Sequence, residues 1–504
     1  MHARRTLLCW SIFLFFAALQ VVVFRPQLQL TSKRITKTST NVEKPPTLLP
    51  RVGIRNEIPD STADKQGYAE KPNIVSGNGS TFDELIPWIV TRKHFIHDNA
   101  DDGLWRVLPC DDVTVPFHQE QDRACSSFLQ LVLVTMSSSS QSQYRADCTC
   151  WLDGALCAGR GWSSLTATAE PMQQRFEQRT IKFKITLTSD ANQTLLAWIV
   201  KVPQVLFPIE PTAELAAFHV DRKLSINRIP PTALVLLPIS WIAHIAKHRT
   251  HKKMPMVQEF LEASNVKSYD EWITKDFERF VLDEKSGLYT SPNRTHVYCS
   301  AQLFMREVLP ILDSPLRVPY SKSNPGWHRW FDVAFDQYHV PFAPLLGLSE
   351  MAVFDFIIQN NDRSPNKNNF VVGACRGCAM RRPSGCHPTL LHLDHGMSFY
   401  GAGARLVHNP LSKSKDKLKF CIFYAPLMNT LRRLRSSVVV PGGRAKGLRP
   451  TEGWAMYLLD GMDDVVKATV GLSRLEHMGV QVERVIERLR TCIGLFNETA
   501  VLRP

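Results

Sequence analysis

The alternation of apolar and polar positions is clearest at residues 181–187, where Ile181, Phe183, Ile185 and Leu187 are separated by Lys182, Lys184 and Thr186. Period two predicts a strand with one buried face. Turn-forming Ser189-Asp190-Ala191-Asn192 follows, then a second strand-like run from Leu195 to Val202, so a β-hairpin ending near Lys201 is expected. Pro208 and Pro211 interrupt the chain, Thr212 offers a cap, and Ala217, Val220 and Leu224 recur at helical spacing from Glu214 to Leu224. Farther on, Ala301–Leu312, Trp327–Tyr338, Leu348–Asn360 and Met462–Leu495 carry helix-like patterning, the last interrupted near Gly471 and Gly479. The expected fold class is α+β, in two lobes: a β-rich N-terminal lobe and a helical C-terminal lobe.

The N-terminus changes the picture. Met1 to Arg5 are short and basic, and Thr6 to Phe24 carry no charge. At about 1.5 Å per residue that run spans roughly the 30 Å hydrocarbon core of a bilayer. It outlasts an ordinary signal-peptide apolar region and lacks an immediate Ala-x-Ala site, which favours an uncleaved signal anchor with the remainder in the lumen. The expected organisation is a cytosolic tail 1–5, an anchor 6–24, a stem 25–95 rich in Thr, Lys, Pro and Ser, an N-terminal region and lobe 96–260, and a C-terminal lobe 261–504.

Four sequons, at Asn78, Asn192, Asn293 and Asn497, and 12 cysteines suit an oxidising, glycosylating compartment. Cys9 lies in the apolar run, so an odd number remains and at least one thiol is free or paired between chains. The net charge of +13 then argues for acidic substrates or anionic glycans, and nucleic acid is excluded as a partner by the secretory anchor. The densest basic run, His244 to Lys253, reads as a solvated loop.

Candidate chemistry lies in four charged residues. Lys201 ends a strand and Glu214 opens the next helix. Asp362 follows the apolar helix in Asn361-Asp362-Arg363, and Asp394 stands in His392-Leu393-Asp394-His395-Gly396. In that order they supply the parts of a phosphoryl-transfer site: a lysine on the phosphates, a glutamate that fixes it, a carboxylate that orients and deprotonates the acceptor, and a carboxylate that holds metal. Gly154, Gly159 and Gly161 are spaced wrongly for a phosphate-binding glycine loop.

The segment Ala213 to Leu224, continuing to Arg228-Ile229-Pro230-Pro231-Thr232, resembles the signature helix of the secretory-pathway kinases, the Golgi casein kinase and four-jointed group. The Asp362 and Asp394 segments resemble that family's catalytic loop and metal motif, with His395 where an asparagine is usual. The resemblance covers roughly residues 180–495. It implies a Golgi-lumenal type II membrane kinase, possible release after stem cleavage, ATP with Mn²⁺ or Mg²⁺, and transfer to Ser/Thr of secreted or membrane glycoproteins or to a proteoglycan linker glycan. By the same resemblance Asp362 is the base, Lys201 and Glu214 bind nucleotide, and Asp394, Glu214 and Asn369 face metal. It further implies an adenine-contacting hinge at Met256–Phe260, a Cys421–Cys492 bridge, and pairing as a homodimer or with a related kinase. Two other classes compete. A type II Golgi glycosyltransferase would hold its metal with Asp101-Asp102 or Asp111-Asp112, and a secretory pseudokinase would act on an active partner. Cys375-Arg376-Gly377-Cys378 with Cys386 and His387 reads as disulfide-forming rather than as a zinc site.

Overall fold

The computed structural model describes residues 119–139, 141–171, 182–204, 208–247, 277–278, 281, 284–305, 308–310, 331–333, 342–363, 369–371, 389–400, 409–412, 420–439 and 449–504. The chain divides into two units, Met1–Asn78 and Gly79–Pro504, and everything described lies in the second. The expected anchor and stem, Asn78, the two aspartate pairs, the hinge at 256–260 and the cysteines at 375–386 lie outside the described residues. Among the described residues no helix is long and apolar enough to cross a membrane.

Helix α1 (Gln119–Ser138) leads to strand β1 (Gln143–Asp147), helix α2 (Gly154–Gly159) and strand β2 (Ser164–Pro171). The expected hairpin is β3 (Lys182–Ser189) with β4 (Thr194–Lys201), followed by α3 (Glu210–Lys223), β5 (Thr232–Pro238), α4 (Ile239–Lys247) and β6 (His296–Leu303). These strands form one sheet in the order β1-β2-β3-β4-β6-β5, antiparallel throughout, so the sheet extends past residue 260. Period two decides what each face carries. Phe183, Ile185, Leu187, Trp198 and Val200 point into a core shared with Phe128 of α1 and Trp241 of α4, while Lys182, Lys184 and Lys201 share the other face.

The chain continues through β7 (Val308–Pro310), α5 (Phe342–Ile357), β8 (Asn369–Val371), β9 (Thr389–Leu391), β10 (Phe423–Tyr424), α6 (Ala425–Val439), α7 (Pro450–Leu459), α8 (Asp464–Val470), α9 (Leu472–Phe496), α10 (Glu498–Val501) and β11 (Leu502–Arg503). A second core unites Ala213, Ala216, Ala217 and Val220 of α3 with Phe354 of α5, Trp454 of α7 and Leu475, Val482 and Leu489 of α9. The expected pairing of a β-rich half with a helical half is therefore present as two cores, with α3 in the second, and residues Glu210 to Ala217 are all buried.

Three expectations need correction. Ala301–Leu312 is not a helix: β6 and β7 occupy 296–303 and 308–310, because pairing of β6 with β4 and β5 on its two sides overrides local helical spacing. Helix α3 starts at Glu210 rather than Glu214, and Pro211 sits in its first turn, where its missing N–H is not needed. Thr212 is accordingly no cap; its hydroxyl donates to the Ile209 carbonyl at 3.2 Å. Gly471 does break the C-terminal helical run, at φ 93°, but α9 passes straight through Gly479. A Cβ at Gly479 would stand 2.1 Å from the Thr451 carbonyl oxygen, so this glycine admits close approach of α7 to α9. Of the expected helix at 327–338 only residues 331–333 are described.

Cys148 bonds to Cys157, and Cys421 to Cys492 with Cα atoms 5.4 Å apart. The second bridge ties the segment entering β10 to α9 across 71 positions. Cys125 is also disulfide-bonded, whereas Cys299 is a buried thiol whose pKa burial pushes up.

Candidate active site

Four separate segments place charged groups at one point between the sheet and α3. Strand β4 delivers Lys201 at its last position, and α3 presents Glu210 and Glu214 one turn apart on one face. The segment after β9 brings Asp394, whose φ of 63° is a left-handed conformation that aspartate tolerates better than most residues. The Lys201 ammonium donates to Glu214 Oε1 and, at 3.0 Å, to Asp394 Oδ1, and lies 3.3 Å from Glu210 Oε1. Three of the four residues assigned from sequence are thus brought together.

Lys182 and Glu210 were not among them. Lys182 pairs directly across the hairpin with Lys201, and its Nζ lies 3.6 Å from Asp394 Oδ1 and 3.7 Å from Glu210 Oε1. The turn at 189–194 does not reveal this register, because a shift between Leu187 and Thr188 moves the pairing by one residue, and three lysines of the hairpin share that face, so periodicity alone does not choose between them. Glu210 was hidden because Pro211 read as a break. Gly396 was missed as well: a Cβ there would stand 2.2 Å from Glu210 Cγ. The loop carrying Asp394 packs against Glu210 so closely that any larger residue at 396 would have to push the Glu210 side chain aside.

Burial works against the Lys201 ammonium, but the carboxylates of Asp394, Glu214 and Glu210 outweigh it and hold its pKa well above the ordinary lysine value. Burial would likewise raise Glu214, yet Lys201 and His395 bring it down to about 2. The His395 backbone N–H donates to Glu214 Oε1 at 2.9 Å, and its Nδ1 faces Glu214 Oε2 at 3.5 Å. Glu214 Oε2 is buried without a hydrogen bond.

Asp362 lies beyond the C-terminal end of α5 and is exposed. Its segment is built on buried Asp355, which accepts from Asn360 Nδ2 at 3.1 Å and from Arg363 Nε and Nη2 at 2.8 and 3.0 Å. The Asn360 side-chain Oδ1 in turn accepts the Asp362 backbone N–H at 3.1 Å. Arg363 Nη1 also donates to the Leu393 carbonyl at 2.8 Å, one residue before Asp394. One buried guanidinium therefore couples the two aspartate segments. Packed beside it, His392 is kept neutral by burial and by the positive charges of Arg363 and Arg228.

Asn369 falls in β8 opposite Leu391, three positions before Asp394. Asn192, Asn293 and Asn497 are exposed, and the last two accept hydrogen bonds at Oδ1 from the hydroxyls of Thr295 and Thr499.

Among the described residues no three His, Cys, Asp or Glu side chains make a metal cage unaided. Mg²⁺ and Mn²⁺ in phosphoryl-transfer sites need only one or two carboxylates, since phosphate oxygens and water complete the octahedron. Asp394, whose side chain is 33% exposed, and Glu214, with Oε2 unbonded, fit that smaller donor set.

No family model matches the chain, and no curated protein matches it in sequence. Its solved structural neighbours include the Golgi casein kinase with Mn and ADP bound, at 14% identity and a TM-score of 0.42, covering 87% of this chain and 96% of that one. Another structure of the Golgi casein kinase matches at 15% identity and 0.40, covering 71% and 79%. Hydra Fam20 with sugar matches at 17% and 0.41, covering 67% and 89%.

Proposed function

We propose that the chain is a Golgi-lumenal phosphotransferase that uses ATP with Mn²⁺ or Mg²⁺ and phosphorylates hydroxyls of secreted or membrane proteins, or of a proteoglycan linker glycan. The supporting observation is the buried cluster in which Lys201 meets Glu214 and Asp394, residues 13 and 193 positions away in the chain. A lysine fixed by a helix glutamate beside a loop aspartate is what phosphate positioning and charge neutralisation require. A divalent cation bound by Asp394 and Glu214, with Asn369 as a proposed further ligand, would neutralise phosphate charge. Lys201 would contact the phosphates, and Asp362, exposed beyond the end of α5, would orient the acceptor hydroxyl and take its proton. The acceptor oxygen then forms its bond to the γ-phosphorus as the bond from that phosphorus to the β–γ bridging oxygen breaks, releasing ADP. Exposed Asn192, Asn293 and Asn497 favour a lumenal, glycosylated protein held by the 6–24 anchor.

A secretory pseudokinase acting on a related kinase is the second reading. It is favoured by the connection 172–181 between β2 and β3, which has no glycine with which to cradle phosphates.

Full-length chain from a secretory host, given labelled ATP, Mn²⁺ or Mg²⁺ and both casein-like and glycan acceptors, tests the proposal. Transfer is expected to require metal and to fall by about 10²-fold or more in Asp394→Ala. Transfer undiminished in that variant overturns the assignment; ATP binding without transfer to any acceptor favours the pseudokinase.

A further inference from the structure

We propose that Lys182 is a second phosphate-binding cation, taking up on a side chain the contact that a glycine loop makes with backbone N–H groups. This rests on the phosphotransferase proposal and concerns the same site. An ammonium has three donors. Those of Lys201 already face three carboxylates, Glu214 through a hydrogen bond, Asp394 at 3.0 Å and Glu210 at 3.3 Å. Lys182 is differently placed: its distances of 3.6 and 3.7 Å to Asp394 and Glu210 are ion-pair distances, beyond hydrogen bonding, and its side chain is 11% exposed. It has charge at the site and donors not yet committed.

Position supports the same role. Lys182 opens β3, directly after the connection from β2, and stands opposite Lys201 in register, so both lysines face Asp394 from one sheet surface. A backbone cradle for phosphate needs glycines that let N–H groups converge. Residues 172–181 contain none, whereas a lysine binds phosphate as a point charge without any special backbone conformation. The three carboxylates outnumber the two lysines, so an approaching polyphosphate needs both cations as well as metal.

Calorimetric affinities of adenosine, ADP and ATP, measured with Mn²⁺ on the full-length protein and its Lys182→Ala and Lys182→Arg variants, test this. Lys182→Ala is expected to weaken ADP and ATP about tenfold or more and to leave adenosine unchanged, with Lys182→Arg recovering most of the loss. ATP binding equal to wild type in Lys182→Ala overturns the inference and leaves the phosphotransferase proposal standing. An equal loss for all three ligands also overturns it, because that pattern is structural. Failure of the wild-type protein to bind any of the three overturns the parent proposal together with the inference.

Discussion

Substituting Gly396 by alanine probes the tightest contact in the site. The added Cβ would lie 2.2 Å from Glu210 Cγ and 3.0 Å from both Cδ and Oε1. Carbon atoms pack at about 3.5–4.0 Å, so one partner must retreat by roughly 1.5 Å. Glu210 is 4% exposed and its carboxylate lies between Lys201 and Lys182, which leaves it little room to swing aside. Overpacking of this kind costs about 1–3 kcal/mol. Urea unfolding of Gly396→Ala should show that loss with an unchanged m-value. Because the opposing atoms belong to one side chain, Glu210→Ala should remove most of the penalty when combined with Gly396→Ala, while Glu210→Gln, which keeps the same shape, should not. Additivity of Glu210→Ala and Gly396→Ala within about 0.5 kcal/mol would refute the proposed contact.

Two further predictions concern the buried charges and the C-terminal bridge. Burial pushes Glu350 up to about 7 despite the Arg228 guanidinium 3.1 Å away, while its ordinary value is 4.5. The folded state therefore holds this proton where the unfolded state has lost it: the contribution is complete below pH 4.5 and disappears as pH rises through 7, a change of up to about 3 kcal/mol. Glu350→Gln should flatten that part of the stability profile between pH 5 and 8, and superimposable profiles would dismiss it. Replacing Cys421 and Cys492 together by alanine should cost about 4 kcal/mol in the chain-entropy account of a loop this long. A midpoint unchanged by the double substitution would show the bridge to be stability-neutral.

The hairpin was legible because a half-buried strand must alternate, and the two aspartate segments because each follows an apolar stretch that sets its position. What escaped depends on three-dimensional register. Lys182 is chemically indistinguishable in the sequence from Lys184, yet only the former reaches Asp394, whereas Lys184 lies over the Phe304 ring at 4.7 Å. Glu210 was concealed by a proline that starts the helix instead of ending one, and β6 by neighbours on both edges that outweigh its local spacing. Asp355 and Arg363 were given no role of their own from the sequence, although both are buried and hold the Asp362 segment to the segment before Asp394.

The 193 positions separating Lys201 from Asp394 also set a clock on the ribosome. At about 5–20 residues per second, Asp394 emerges roughly 10–40 s after Lys201. The sheet, its disulfide at Cys148–Cys157 and the Lys201–Glu214 pair can all be in place during that interval, with the pair one carboxylate short. The growing chain therefore carries the lysine and its helix glutamate before the loop carboxylate exists, and the three-residue cluster is completed only after synthesis has passed Asp394.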